Sequence, residues 1–172
     1  MPGKFNIDTI VANINNNPLL TPNRYEVIIN GPVDIPRFVL FNCNRCNVPG
    51  HNIGSFDHSV IGPIRKIPNE EIFDDVSTSF YTTKYIKEVE IINDWIKKIG
   101  GGDSFRMAYY GDITGEMRIN IYDLQEKITA TIDLYEVYPI GISELEMSYE
   151  GTVPAEITIN WAYHSFEVVS SQ

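Results

Sequence analysis

Four residues in one short stretch have the types that bind zinc: Cys43, Cys46, His51 and His58. Tetrahedral zinc takes four nitrogen or sulfur ligands at close spacing. Here the spacing argues against it. Two cysteines three apart in extended backbone point to opposite faces. The glycine usual after a knuckle pair is missing, and the distance to His58 matches no common finger. Buried thiols at a strand end are the simpler reading, with no metal and no cofactor. Gly100-Gly101-Gly102 invites a phosphate loop, but phosphate cradles form at helix N-termini. These glycines follow a helix and lack the Gly-Lys-Ser/Thr signature. Asp74-Asp75 and Glu70-Glu71 are adjacent carboxylates, and strand neighbours face opposite ways, so neither doublet is an acid–base pair. His164 has no nucleophile-elbow sequence to serve. Since nothing supplies nucleophile, base and anion stabiliser together, the chain reads as a non-enzyme with no catalytic residues.

The chemistry that remains is electrostatic. Between Phe105 and Val169 the chain reads as alternating strands: Met117 to Asp123, Thr129 to Tyr138, Glu144 to Tyr149 and Glu156 to Val168. From Asp112 to Glu156 acids fall at Asp112, Glu116, Asp123, Glu126, Asp133, Glu136, Glu144, Glu146, Glu150 and Glu156, opposed there only by Arg118 and Lys127. A sheet with one apolar and one acidic face makes a wall facing something that should not adhere. Tyr109, Tyr110, Tyr122, Tyr135, Tyr138, Tyr149, Trp161, Tyr163 and Phe166 lie among these acids. Single-strand stacking platforms pair aromatics with basic grooves, so packing is the better account of them here. Ile157, Ile159, Trp161 and Tyr163 form one inward row.

These strands need elements to carry them. Residues 1–23, rich in Asn and Pro, are expected to form an arm, with room for a short helix near Thr9 to Ile14, that orders on a partner. Residues 24–172 form one domain. Arg24 to Asn30 alternates with Tyr25, Val27 and Ile29 on one face. Arg37 to Cys43 reads as a second strand covered on both faces, residues 47–58 as a loop, Ser59 to Ile67 as extended, and Glu71 to Thr82 as a strand with Ile72, Val76 and Phe80 on one face. One helix runs from about Thr83 to Ile99. Its apolar stripe is Tyr85, Val89, Ile92, Ile96 and Ile99, widened by Ile86 and Trp95. Thr82 or Thr83 is expected to cap it, Lys97 and Lys98 to meet its negative end, and Gly100 to take the left-handed position beyond. Strands, one helix, then strands predict an α+β, mainly β fold: an antiparallel sandwich or barrel-like subunit with one flanking helix.

At 172 residues the chain is long enough for one well-buried core. Its formal net charge of −10 disfavours adhesion to a polyanion, whose affinity comes from Lys and Arg. No apolar run approaches the roughly 20 residues of a membrane span, and MPGKFNIDTI lacks the apolar core of an export signal. Two cysteines without such a signal suggest free thiols in a reducing cytoplasm.

Several segments, in order, resemble the tail tube proteins of contractile-tailed, T4-like bacteriophages. Pro22-Asn23-Arg24-Tyr25-Glu26-Val27 looks like the family's lead into its first strand. Phe41-Asn42-Cys43 with Asn47-Val48-Pro49-Gly50 is similar to its Cys to Leu-Pro-Gly segment. Ile72-Phe73-Asp74-Asp75 resembles its Phe-Asp-Asp strand before a helix with a late Trp, here Trp95. Tyr138-Pro139-Ile140-Gly141 resembles its late aromatic-Pro turn. Cys46 and the long arm depart from the pattern. The resemblance implies hexameric rings stacked into a tube inside a contractile sheath, with DNA passing through a central channel. It implies itself, the sheath protein, and baseplate and terminator proteins as partners, and the virion tail as location, after assembly in host cytoplasm. On that basis Glu116, Asp123, Glu126, Asp133 and Glu136 are expected to face the lumen. Contacts between rings are expected from the arm and from Pro49, Gly50, Ile53, Phe56 and Ile64. Baseplate proteins that start the tube, and inner tubes of type VI secretion and other contractile injection systems, share the implied fold.

Overall fold

The structure is a computed structural model. It describes residues 20–58, 62–101, 106–145, 147, 149 and 154–170. The residues of the arm before 20, and Glu146 and Glu150, lie outside the described residues.

Nine strands, β1 Tyr25–Asn30, β2 Cys43–Cys46, β3 His51–His58, β4 Arg65–Phe73, β5 Val76–Tyr81, β6 Gly115–Tyr122, β7 Ile128–Ile142, β8 Glu156–Ala162 and β9 Ser165–Ser170, and three helices, α1 Arg37–Phe41, α2 Lys87–Ile99 and α3 Tyr110–Ile113, make up the described chain. Seven strands join in the order β1-β6-β7-β8-β5-β2, with β9 also on β7, and every pairing is antiparallel. β7 is long enough to serve two sheets. Its first part pairs with β6 and β9, and its end, from Tyr138, pairs with β8. β1-β6-β7-β9 and β7-β8-β5-β2 therefore form the two layers of a sandwich joined at a corner. Between them lie Val27, Met117, Ile119, Leu134, Val76, Phe80, Ile157, Ile159 and Trp161, all buried. The expected fold class, mainly β with one long flanking helix, is what the chain adopts.

The helix α2 closes one side. Trp95 is fully buried, with its ring edge-on to Trp161 at 5.6 Å and its indole N–H donating to the Ile113 carbonyl at 2.7 Å. The helix starts later than its apolar stripe suggests. Ile86, at the N-cap, is left-handed with φ 53, and no side chain caps the helix. Tyr85 is left exposed, and neither Thr82 nor Thr83 is the cap. Lys97 and Lys98 do occupy the last turn, but Gly100 has φ −72 and it is Gly101, at φ 70, that turns left-handed.

Other sequence expectations are corrected. Residues 37–41 are a short helix, since Pro36 precedes a four-residue apolar run with no strand partner; Val39 is buried and Phe41 exposed. The stretch read as a loop from 47 to 58 contains β3, which pairs with β4. Glu71 to Thr82 is broken at Asp74-Asp75 into β4 and β5, so Ile72 is exposed while Val76 and Phe80 are buried. At Glu144 to Tyr149 the described residues carry no strand. The last strand is broken at Tyr163-His164 into β8 and β9.

Candidate functional site

The polar face of β1-β6-β7-β9 is the first candidate. Residues directly opposite in an antiparallel pair share a face, so the register defines rows across all four strands. One row reads Asn30, Glu116, Tyr135, Ser165; the next Ile28, Arg118, Asp133, Glu167; the third Glu26, Asn120, Thr131, Val169. The alternate residues, Val27, Ile29, Met117, Ile119, Ile132 and Leu134, fill the core. In these three rows the outer face carries Glu26, Glu116, Asp133 and Glu167 against one cation, Arg118. Arg118 is held side-on by Asp133, Nε to Oδ1 at 2.6 Å and Nη2 to Oδ2 at 3.2 Å. This bidentate geometry satisfies both charges and keeps the guanidinium further toward its protonated form. Tyr122 donates its hydroxyl to Glu26 at 2.7 Å, and that carboxylate pushes the phenol pKa up. Among the described residues, no ion pair engages Glu26, Glu116 or Glu167.

Of the five acids expected on one surface, the structure brings Glu116 and Asp133 together on that face. Asp123 and Glu126 instead form the β6–β7 turn, where the Glu126 amide donates to the Asp123 carbonyl at 3.1 Å and Glu126 is left-handed at φ 60. Glu136 is the extra residue of a bulge where Gly115 pairs with Val137 and Glu116 with Tyr135, and it too is left-handed, at φ 56. Burial, then the Glu136 carboxylate, raises the pKa of Tyr110 beside it. Sequence reasoning missed Glu26 and Glu167. The alternation of Tyr25, Val27 and Ile29 already placed Glu26 outward. Glu167 was hidden because the break at Tyr163-His164 reverses the strand's phase, setting Phe166 opposite Leu134 and Glu167 opposite Asp133.

The β3–β4 ribbon is the second candidate. Its two strands pack substantially only on each other, and nearly every residue is exposed, including Ile53, Phe56, Ile64, Ile67 and Ile72. Phe56 faces Ile67 across the ribbon. At its root, His51 stacks on Phe73 at 5.2 Å, and both meet the Phe166 ring edge-on. Asn52 donates to Asp74 at 2.7 Å. Pro49 is buried and Gly50 half-buried where the ribbon leaves the body.

The zinc-type residues are dispersed. His51 opens β3 and His58 ends it. Cys43 and Cys46 do share a face, contrary to the extended-strand expectation, because a bulge between Cys43 and Arg45 sets Cys43 opposite Phe80 and Cys46 opposite Thr78. Burial pushes the Cys43 thiol up to about 11 and the Cys46 thiol to about 12. Protonated thiols are poor ligands and nucleophiles. Among the described residues no group of three or more His, Cys, Asp or Glu is placed to hold a metal ion.

The arrangement can repel anions and offers open sheet edges and an apolar ribbon. The fold is similar to that of a chain in the sheath–tube complex of the PVC extracellular contractile injection system, in its extended state. That match has a TM-score of 0.68 at 12% identity and covers 93% of this chain and 97% of that one. A chain of the anti-feeding prophage baseplate is similar at TM-score 0.68 and 8% identity, over 88% of this chain and 96% of that one. A chain of the same particle's tube-terminating cap is similar at 0.67 and 10%, over 89% and 92%. No curated protein matches the sequence. The family model described as phage tail tube protein matches residues 13–169, nearly the whole chain, and the protein therefore belongs to the phage tail tube family, whose members are structural subunits.

Proposed function

We propose that this protein is the tube subunit of a contractile tail: six copies form a ring, rings stack into a tube, and DNA passes through a channel lined by the polar face of β1-β6-β7-β9. The observation that carries this is the sheet's pair of open edges. β1 is antiparallel to β6, β6 to β7 and β7 to β9, so β1 and β9 run in opposite directions. Neither has a partner on its outer side among the described strands. Copies set side by side in a ring would pair β9 of one with β1 of the next, again antiparallel. Open edges are liabilities that closure removes, and a barrel of many strands leaves an aqueous lumen. The acid-rich face would then be the lining, and Glu26, Glu116 and Glu167 would repel phosphates sliding past. Asp123, Glu126 and Glu136 would join it only at the turn and the bulge.

We place contacts between rings on Ile53, Phe56 and Ile64, on a ribbon whose base Pro49 and Gly50 hold. Residues 24–172 act as one domain, and residues 1–23 as an arm toward a neighbour. The sheath, baseplate and terminator are the partners, and the virion tail the location, reached after assembly in host cytoplasm. The solved relatives come from a sheath–tube complex, a baseplate and a cap, so a second reading within the same fold is a tube-initiating baseplate protein or the inner tube of another contractile injector. Negative-stain imaging of concentrated protein, alone and on a baseplate seed, tests both. Long hollow rods are expected from a tube subunit and single rings from an initiator. Globules that stay separate under every condition would end the proposal.

A further inference from the structure

The ribbon and the β6–β7 turn sit at opposite ends of one sheet and carry opposite chemistry. At one end the turn runs from Asp123 to Lys127. At the other, Gly115 pairs with Val137 and β9 begins with Ser165 opposite Tyr135. The ribbon is rooted at this second end, where His51 and Phe73 meet Phe166. From that root β3 extends eight residues, about 25 Å of strand. Two strands alone, with apolar side chains open on both faces, are marginal in water.

The ribbon is also polarised along its length. Near its root lie Glu70, Glu71, Asp74 and Asp75. At its far end His58 faces Arg65 and Asp57 faces Lys66, beside Ile64, which is 67% exposed. The turn is the complement. It presents Asp123 and Glu126, with Lys127 as its own cation, around Leu124, which is 69% exposed.

We infer that the receiver of the ribbon is the β6–β7 turn of a second copy in the next ring, Arg65 and Lys66 meeting Asp123 and Glu126 while Ile64 packs near Leu124. This rests on the stacked-ring reading above and adds the address to it. A head-to-tail contact between unlike ends of identical chains propagates without limit, which a tube requires. Charge at the contact sets its rate of formation and its salt dependence.

The test is charge reversal with rescue, read as the tube fraction pelleted and counted by electron microscopy. Arg65→Glu with Lys66→Glu, and separately Asp123→Lys with Glu126→Lys, are each expected to lower tube yield by about tenfold or more, because like charges are juxtaposed. All four changes together are expected to return it to within about threefold of wild type, since opposite charges again face each other. The milder pair Arg65→Gln and Lys66→Gln, with an unaltered melting curve, separates docking from folding and is expected to grow slowly even at low salt. If the fourfold variant stays as defective as the twofold ones while wild type forms tubes, the pairing is wrong and the tube stands. If either twofold reversal grows tubes like wild type, the pairing is likewise wrong. If wild type forms no tubes on any seed, both fall.

Discussion

Glu88 is buried with no cation paired to it among the described residues, and three neutral donors hold it. The Thr83 amide and hydroxyl donate to Oε2 at 3.2 and 3.0 Å, and the Asn42 amide group to Oε1 at 3.3 Å. As the second residue of α2, it also meets the positive end of the helix dipole. One carboxylate thus ties α1, the segment before α2 and α2 together. Removing it strands buried donors, each costing about 1–3 kcal/mol. Glu88→Ala is expected to lose about 2–4 kcal/mol in urea unfolding, and Glu88→Gln clearly less. An alanine variant as stable as wild type would remove Glu88 from this role. Gly31 is constrained by volume instead: a Cβ there would overlap the Trp95 ring. Because that ring is pinned by its bond to Ile113 and by Trp161, Gly31→Ala is expected to cost about 1–3 kcal/mol by overpacking, measured in the same unfolding experiment. The half-buried thiols make a pH prediction. Their folded pKa values, about 11 and about 12, lie above the ordinary 9.0. The folded state therefore holds protons that the unfolded state releases first. Their stabilising contribution is complete below pH 9 and declines as pH rises toward the folded values. Cys43→Ala with Cys46→Ala should flatten the fall of stability between pH 9 and 11 relative to wild type, and native thiols should react with a disulfide reagent at pH 8 far more slowly than unfolded ones. Equal slopes in both proteins would refute this.

At the scale of elements, the ribbon is separable from the core. The buried cluster draws on β1, β5, β6, β7, β8, α1 and α2, and takes nothing from β3 or β4. Replacing residues 52–72 with a short Gly-Ser turn is expected to leave a cooperatively folding, soluble domain that no longer forms tubes. Loss of cooperative melting would show that the ribbon supports the core after all. The same separation explains which elements could be read in the sequence. Core strands announce themselves because one face is wet and the other dry: Val27 and Ile29, Ile157 to Trp161, and Met117 with Ile119 all alternate. The stripe of α2 gave its end to the residue, and missed its start because the cap is backbone geometry at Ile86 rather than a threonine side chain. The ribbon has no dry face in a single chain, so polarity, Pro49 and Gly54 read as loop; only the pairing with β4 makes it strand. α1 is five residues, fewer than the two turns over which a 3.6-residue period can repeat. Of the polar face, Glu116 and Asp133 were legible from period-two spacing. Asp123, Glu126 and Glu136 fall off that spacing because a turn and a bulge interrupt it, and Glu167 went unseen because the phase reverses at Tyr163-His164.

For the whole molecule, the proposed channel raises the question of how a wall meant to face a polyanion would tolerate an arginine at its centre. Arg118 is the one cation in the three rows of the polar face, and its side chain is 56% exposed. An exposed ion pair contributes little to stability, so the effect of Asp133 is better sought in what it does to Arg118. Held fork to fork, the guanidinium has one bidentate edge, Nε and Nη2, occupied and its charge balanced by Asp133, and Glu116 lies two residues along the same strand face. Asp133→Asn removes the charge that engages it and exposes, in each copy, a planar donor set suited to phosphate. The net charge moves only from −10 to −9, so any large change is local rather than global. Assembled tubes of the variant are expected to retain short duplex DNA in a sedimentation assay at low salt, losing it as salt rises, whereas wild-type tubes retain none. Arg118→Gln with Asp133→Asn should be as non-adherent as wild type. The urea midpoints of all three should agree closely, since the pair is exposed. Should Asp133→Asn tubes ignore DNA as wild type does, the remaining carboxylates alone keep the wall slippery, and Asp133 is not needed to mask Arg118.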